Sequence, residues 1–85
     1  MTTETWDKAI RKMNNIRQKG PVEDYIIEFK LLVPLTGYND YALVAAFKKG
    51  LYPTLGYEIM RMVPNPPNNN VDAWYERVMV VAMAS

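Results

Sequence analysis

The chain has 85 residues, ten basic and nine acidic side chains for a net charge of +1, and neither cysteine nor histidine. This length suits one small domain that buries only about 60–65% of the surface its unfolded chain exposes, and the balanced charge argues against a domain devoted to gripping phosphate backbones. Disulfides, thiolate nucleophiles, imidazole bases and the usual zinc or copper ligand sets are excluded.

No apolar run approaches the ~18 residues that would span a bilayer, and the polar N-terminus lacks the basic-then-apolar layout of a signal peptide. An intracellular, cytoplasmic location with no membrane partner is expected. The segment Thr2, Thr3, Glu4 and Thr5 offers a threonine cap and an acid at the positive end of a first helix. That helix is predicted to run to about Lys19, with Trp6, Ile10, Met13 and Ile16 at helical spacing. Lys8, Arg11, Lys12, Arg17 and Lys19 read as its solvated face rather than as a nucleic-acid site. Trp6 either packs on the bundle, the preferred reading, or projects into a partner.

Gly20 and Pro21 form a sharp corner. The glycine is expected to take the left-handed conformation that ends a helix, and the proline to supply the fixed φ of a first helical position. Gln18 sits at this turn, where its amide is expected to tie the open end of one helix to the start of the next. Val22, Tyr25, Ile26 and Phe29 follow at i, i+3, i+4 and i+7, one face of a second helix. Its core face continues through Leu32 and Val33 to Pro34, which predicts a kink or an end within a few residues, completed by Gly37. Ile27 and Leu31 lie off that face, so either the helix is buried on more than one side or they meet a neighbouring domain.

Asn39 is the expected N-cap of a short third helix, with Asp40 in its first turn and Tyr38 placed to staple against Leu43. Leu43, Val44 and Phe47 point inward, Tyr41 and Ala45 lie on the other side, and Gly50 followed by Leu51 predicts a Schellman-type ending. Tyr52-Pro53 starts a fourth helix with Leu55, Ile59 and Met62 or Val63 inward, stopping before Pro64. Residues 64–70, Pro-Asn-Pro-Pro-Asn-Asn-Asn, read as an ordered loop, with an interdomain linker as the alternative. Asn70 caps a last helix whose inward face is Val71, Trp74, Val78 and Val81. Its final turns are apolar nearly all round, and Val80 and Met83 lie off the core stripe. This marks either an interaction face or a place where a longer chain continues.

The expected core thus contains Tyr25, Phe29, Leu43, Phe47, Leu51, Ile59, Trp74 and Val78. Glu23, Asp24 and Glu58 are the remaining acid–base candidates, and they read as ordinary surface charges because no partner accompanies them. The four glycines are far apart, so no phosphate-cradling loop is present. Met13, Met60, Met62 and Met79 fall on different helices and read as gap-filling core residues. No catalysis, cofactor or metal is expected.

Gln18-x-Gly20-Pro21-x-x-x-Tyr25-x-x-x-Phe29, then Thr36-Gly37-x-Asn39-Asp40 and Phe47-x-x-Gly50-Leu51, resembles the capsid region of Gag from gypsy-type LTR retrotransposons. The first of these elements is similar to the major homology region of retroviral capsids. Retroviral versions often carry a basic residue just before the aromatic that matches Phe29, whereas this chain has Glu28. The resemblance covers nearly the whole chain. It implies an all-α fold, a compact bundle of five short helices like the C-terminal half of a capsid, spanning residues 1–85 as one domain. It also implies a non-enzymatic domain that pairs with itself and builds virus-like shells around an element's RNA. Its partners would be further copies and the neighbouring capsid N-terminal domain, with RNA met only indirectly through the shell. A domesticated Gag descendant of the Arc type would look the same. By the same resemblance the Tyr41/Ala45 side of the third helix matches a pairing helix, and Val80, Met83 and Trp6 are further self-association candidates. The alternatives are a peptide- or protein-binding module with a groove between helices, and an RNA-binding module with its cations gathered on one face.

Overall fold

The computed structural model describes residues 3–84. Five α-helices occur among them: α1 (Thr3–Asn15), α2 (Val22–Thr36), α3 (Asp40–Gly50), α4 (Pro53–Met60) and α5 (Val71–Ala84). No strand accompanies them in the described residues, so the architecture is all-helical. The threonine cap and the Glu4 contribution expected at the start of α1 involve side chains outside the described residues.

α1 ends at Asn15, four residues before the predicted Lys19. The backbone donors and acceptors at this end find better partners elsewhere. The Arg17 guanidinium donates to the carbonyls of Asn14 at 3.3 Å and Ile16 at 2.8 Å, and the Asn15 side chain donates back to Arg11 O at 2.8 Å. The Gln18 amide then leaves the helical ladder and donates across the fold to Gly50 O at 2.7 Å. Open carbonyls at a helix end are satisfied by such side chains when the ladder stops.

Pro21 precedes α2 with φ −55° and no capping side chain. Gly20, expected in the left-handed region, is not there; Gly37 holds that conformation, at φ 69°, as the C-cap of α2. The corner is turned instead by hydrogen bonds from Gln18. Its Nε2 donates to Gly20 O at 3.0 Å, and its Oε1 accepts from the Tyr52 amide at 2.9 Å. The glutamine therefore ties the corner to the start of α4 rather than to the start of α2. Pro34 lies within α2, which runs two residues further to Thr36. There the Thr36 hydroxyl donates to Val33 O at 3.0 Å and accepts from the Tyr38 amide at 3.2 Å.

Asn39 caps α3, its Oδ1 accepting from the Ala42 amide at 3.0 Å. The expected Schellman ending is absent. Gly50 is the last residue of α3, and Leu51 follows in extended backbone, φ −69° and ψ 153°. Glycine is required at position 50 for space. A Cβ there would collide with the Tyr25 hydroxyl and lie 2.6 Å from Ile16 O. α4 opens with Pro53 after Tyr52, the favoured placement for proline.

The connection to α5 is held by its neighbours. Trp74 Nε1 donates to Pro67 O at 2.8 Å, and the Arg77 guanidinium donates to Pro64 O at 2.7 Å. Asn70 caps α5 through the Ala73 amide at 3.2 Å, and Asp40 accepts from the Val71 amide at 3.3 Å, so the starts of α3 and α5 are joined.

Tyr25, Phe29, Leu43, Phe47, Leu51, Ile59, Trp74 and Val78 are all buried. An aromatic cluster sits at their centre. The Phe47 ring stacks on Tyr25 at 5.2 Å and meets Phe29 and Tyr75 edge-on at 5.1 and 5.2 Å, geometries that add to area burial. Tyr75 belongs to this core although the sequence stripe omitted it. Among the methionines expected to fill gaps, Met13 is fully buried, Met62 and Met79 are half-buried, and Met60 is exposed. Val63 is exposed as well, leaving Met62 as the inward side chain after α4.

Two tests follow from this packing. Gly50→Ala gains roughly 1 kcal/mol of helix propensity but forces an overpacked contact and strains the Tyr25 hydroxyl bond to Phe47 O, 2.9 Å. A net loss of about 1–3 kcal/mol is expected in chemical denaturation. At Gly20 nothing lies within 4 Å of an added Cβ, so Gly20→Ala is expected to be neutral or slightly stabilising.

A further test concerns pH. Burial raises the Tyr25 phenol well above the ordinary tyrosine range, and burial together with the nearby Asp72 and Asp40 carboxylates pushes Tyr75 from 10.0 to about 12. The folded state therefore keeps two protons that the unfolded chain gives up near pH 10. Both contributions are complete below that pH; the Tyr75 part is lost as pH rises through about 12 and the Tyr25 part at still higher pH. Denaturation midpoints are expected to hold to about pH 9.5 and then fall, with Tyr75→Phe reducing the slope. In an absorbance titration, two of the six tyrosines should ionise late.

Candidate assembly surfaces

The side chains that bury the core leave several large apolar groups outside it. On α3, Tyr41 is 64% exposed, and Ala45, one turn on, is exposed beside it. On α5, Val80 and Met83 are 60% and 78% exposed. These pairs are presented by rigid elements: α3 is anchored by Leu43, Val44 and Phe47, and α5 by Trp74, Tyr75 and Val78. Trp6, for which packing on the bundle was the preferred reading, is 48% exposed. Ala9 takes the buried place on α1 instead, next to Met13 and Ile16, because the stripe is rotated from the one that starts at Trp6.

Ile27 and Leu31 on α2 are exposed too. A groove of about 820 Å³ runs between α2 and α5, with Ile26, Ile27, Met79 and Val80 in it and Glu23, Lys30, Glu76 and Arg77 around it. Lys30 Nζ stands 4.9 Å over the Tyr75 ring at one side, a cation–π contact. Ile27 and Val80 thus share one surface, a meeting of two helices that a stripe on either helix alone does not reveal. A second groove, about 510 Å³, lies between α1 and α2. Glu28, the departure from the retroviral pattern, is exposed on its rim rather than buried in a network.

Gln18, Gly20 and Pro21 hold the corner and, with Tyr52, Leu55 and Glu58, line a small open cleft of about 270 Å³. No helix among the described residues is long and apolar enough to cross a membrane. Among the same residues no cluster of three or more histidine, cysteine, aspartate or glutamate side chains could hold a metal ion. The helical frame presents exposed apolar side chains on α2, α3 and α5.

Residues 9–77 match the PEG10/RTL1 family, C-terminal capsid-like domain. No curated protein and no solved structure matches the chain. The match begins in α1, crosses the corner, α2, α3 and α4, and ends within α5, so it takes in the aromatic core and the Gln18 junction together. The chain belongs to the PEG10/RTL1 C-terminal capsid-like domain family, with a Gag-type structural role.

Proposed function

We propose that this domain pairs with copies of itself and, through many repeated contacts, builds a shell that packages retroelement RNA or, in a domesticated setting, serves assembly or transport. The observation that carries the reading is the set of apolar side chains left outside a complete core on α3 and α5. Such groups lose contact with water only when another chain covers them, at about 25 cal/mol for each Å² removed. Each patch is modest, so each contact is weak, and a shell gains its strength from their number. Tyr41 with Ala45 and Val80 with Met83 are the two candidate pairing surfaces. A neighbouring capsid N-terminal domain is a further partner, and RNA is met through the assembled shell. No catalytic step is part of this reading.

Sedimentation equilibrium over a range of concentrations tests it. Association is expected at micromolar or higher concentration. Tyr41→Glu with Ala45→Glu, or Val80→Glu with Met83→Glu, is expected to abolish it while helix content and melting temperature stay nearly unchanged. A monomer up to about millimolar concentration, or association indifferent to both double substitutions, would contradict the proposal.

A further inference from the structure

We infer that the groove between α1 and α2 is a docking site for an acidic, amphipathic segment of a partner protein. The inference does not depend on self-assembly. It starts from an uneven charge distribution: residues 8–22 hold five of the ten basic residues and none of the nine acidic ones. The chain is nearly neutral overall, yet this segment is strongly positive. Lys12, Arg17 and Lys19 from it line the groove, facing an aliphatic wall of Leu31, Leu32 and Leu35 on α2.

The wall is open to a partner. Leu31 is 69% exposed, and Leu32 and Leu35 are half-buried. From Glu28 to Leu35 the groove follows two turns of α2, about 10 Å, which matches apolar anchors at i, i+3 or i+4 and i+7 of an incoming helix. Arg17 is already oriented, its guanidinium bonded to Ile16 O at 2.8 Å, so less side-chain freedom is lost when it meets a carboxylate. Complementary charge steers the encounter and fixes register, while the leucines supply the apolar contact.

The same cations raise the question of RNA. Single strands bind where aromatic faces let bases stack along a basic track. The groove has aliphatic side chains and a carboxylate, Glu28, on its rim. The Glu28 carboxylate opposes peptide carboxylates and phosphates alike, but the lining offers leucine side chains for aliphatic anchors and no aromatic ring on which a base could stack, which favours the amphipathic peptide.

The test uses the ¹⁵N-labelled domain and three probes. The first is a synthetic peptide of about 14 residues with leucines at alternating spacings of three and four and glutamates at most other positions. The second has lysines in place of the glutamates, and the third is an oligouridylate of similar length. The leucine–glutamate peptide is expected to shift amide signals in residues 12–19 and 28–35, saturably, with affinity falling as salt rises from about 0.05 to 0.3 M. Lys12→Glu with Lys19→Glu, and separately Leu31→Asp, are each expected to weaken binding by about tenfold or more. All three side chains are exposed, and the wild-type signal map gives the location without any variant. Absence of binding up to about millimolar peptide, equal affinity for the lysine peptide, shifts centred on α3 or the α2–α5 groove, or tighter binding of the oligouridylate would overturn the inference. So would a Leu31→Asp domain that binds the peptide unchanged.

Discussion

The structure depends on how closely the chain can approach itself at Gly50. The end of α3 lies against the Tyr25 hydroxyl and the Ile16 carbonyl with no room for a methyl group. Because of that approach, Gly50 O can receive the Gln18 amide, Tyr25 can donate to Phe47 O, and Gln18 Oε1 can reach the Tyr52 amide. The segment after α1, the first turn of α2, the end of α3 and the start of α4 are thereby held at one point. Each bond is worth about 1 kcal/mol net, but leaving a buried partner unmade costs about 1–3 kcal/mol. The junction is consequently stronger as a constraint on geometry than as a sum of bonds. Among the described residues, no buried side-chain polar atom is left without a partner.

With the junction fixed, the aromatic cluster of Tyr25, Phe29, Phe47 and Tyr75 closes the space between α2, α3 and α5. A chain this short cannot cover every apolar side chain it carries. Those not needed for the cluster remain on the outer sides of α2, α3 and α5, and the frame behind them is well tied. This combination of a rigid interior and uncovered apolar faces links the packing to the Gag-type structural role of the family. Surfaces built on helices can meet a partner with little loss of conformational freedom.

Much of this was legible in the sequence, and the failures have a common cause. Periodicity on single helices located Phe29, Leu43, Phe47, Ile59, Trp74 and Val78, and turn chemistry located Asn39, Pro53 and Asn70 at helix starts. Gly37 ends α2 as its place after Pro34 predicts, but the roles of Gly20 and Gly50 differ from those their local sequence suggests. Gly20 beside Pro21 looked like the left-handed residue and Gly50 like a cap, whereas Gly37 has the positive φ and Gly50 provides clearance. Clearance is set by a residue 25 positions away and leaves no local mark. Likewise α1 stops at Asn15 because Gln18 finds an acceptor on α3, and no neighbour in sequence announces that. Tyr75 lay outside the single stripe assigned to α5, although a helix packed against both α2 and α3 has a wider buried face. Of the candidate surfaces, the exposed pairs were visible as residues off the stripe; the α1–α2 and α2–α5 grooves were not, since each is made by two helices.

Native-state amide hydrogen exchange at Gln18 and Tyr52 tests the central role of the junction most directly. Both amides lie outside the regular helices, so nothing but the junction protects them. If Gln18 and Gly50 hold the fold as described, both exchange only when the whole domain unfolds, with opening free energies equal to those of Phe29 and Phe47. Exchange at the rate of exposed loop amides, while the α2 and α3 cores remain protected, would show that the bundle stands without the junction and would contradict the account.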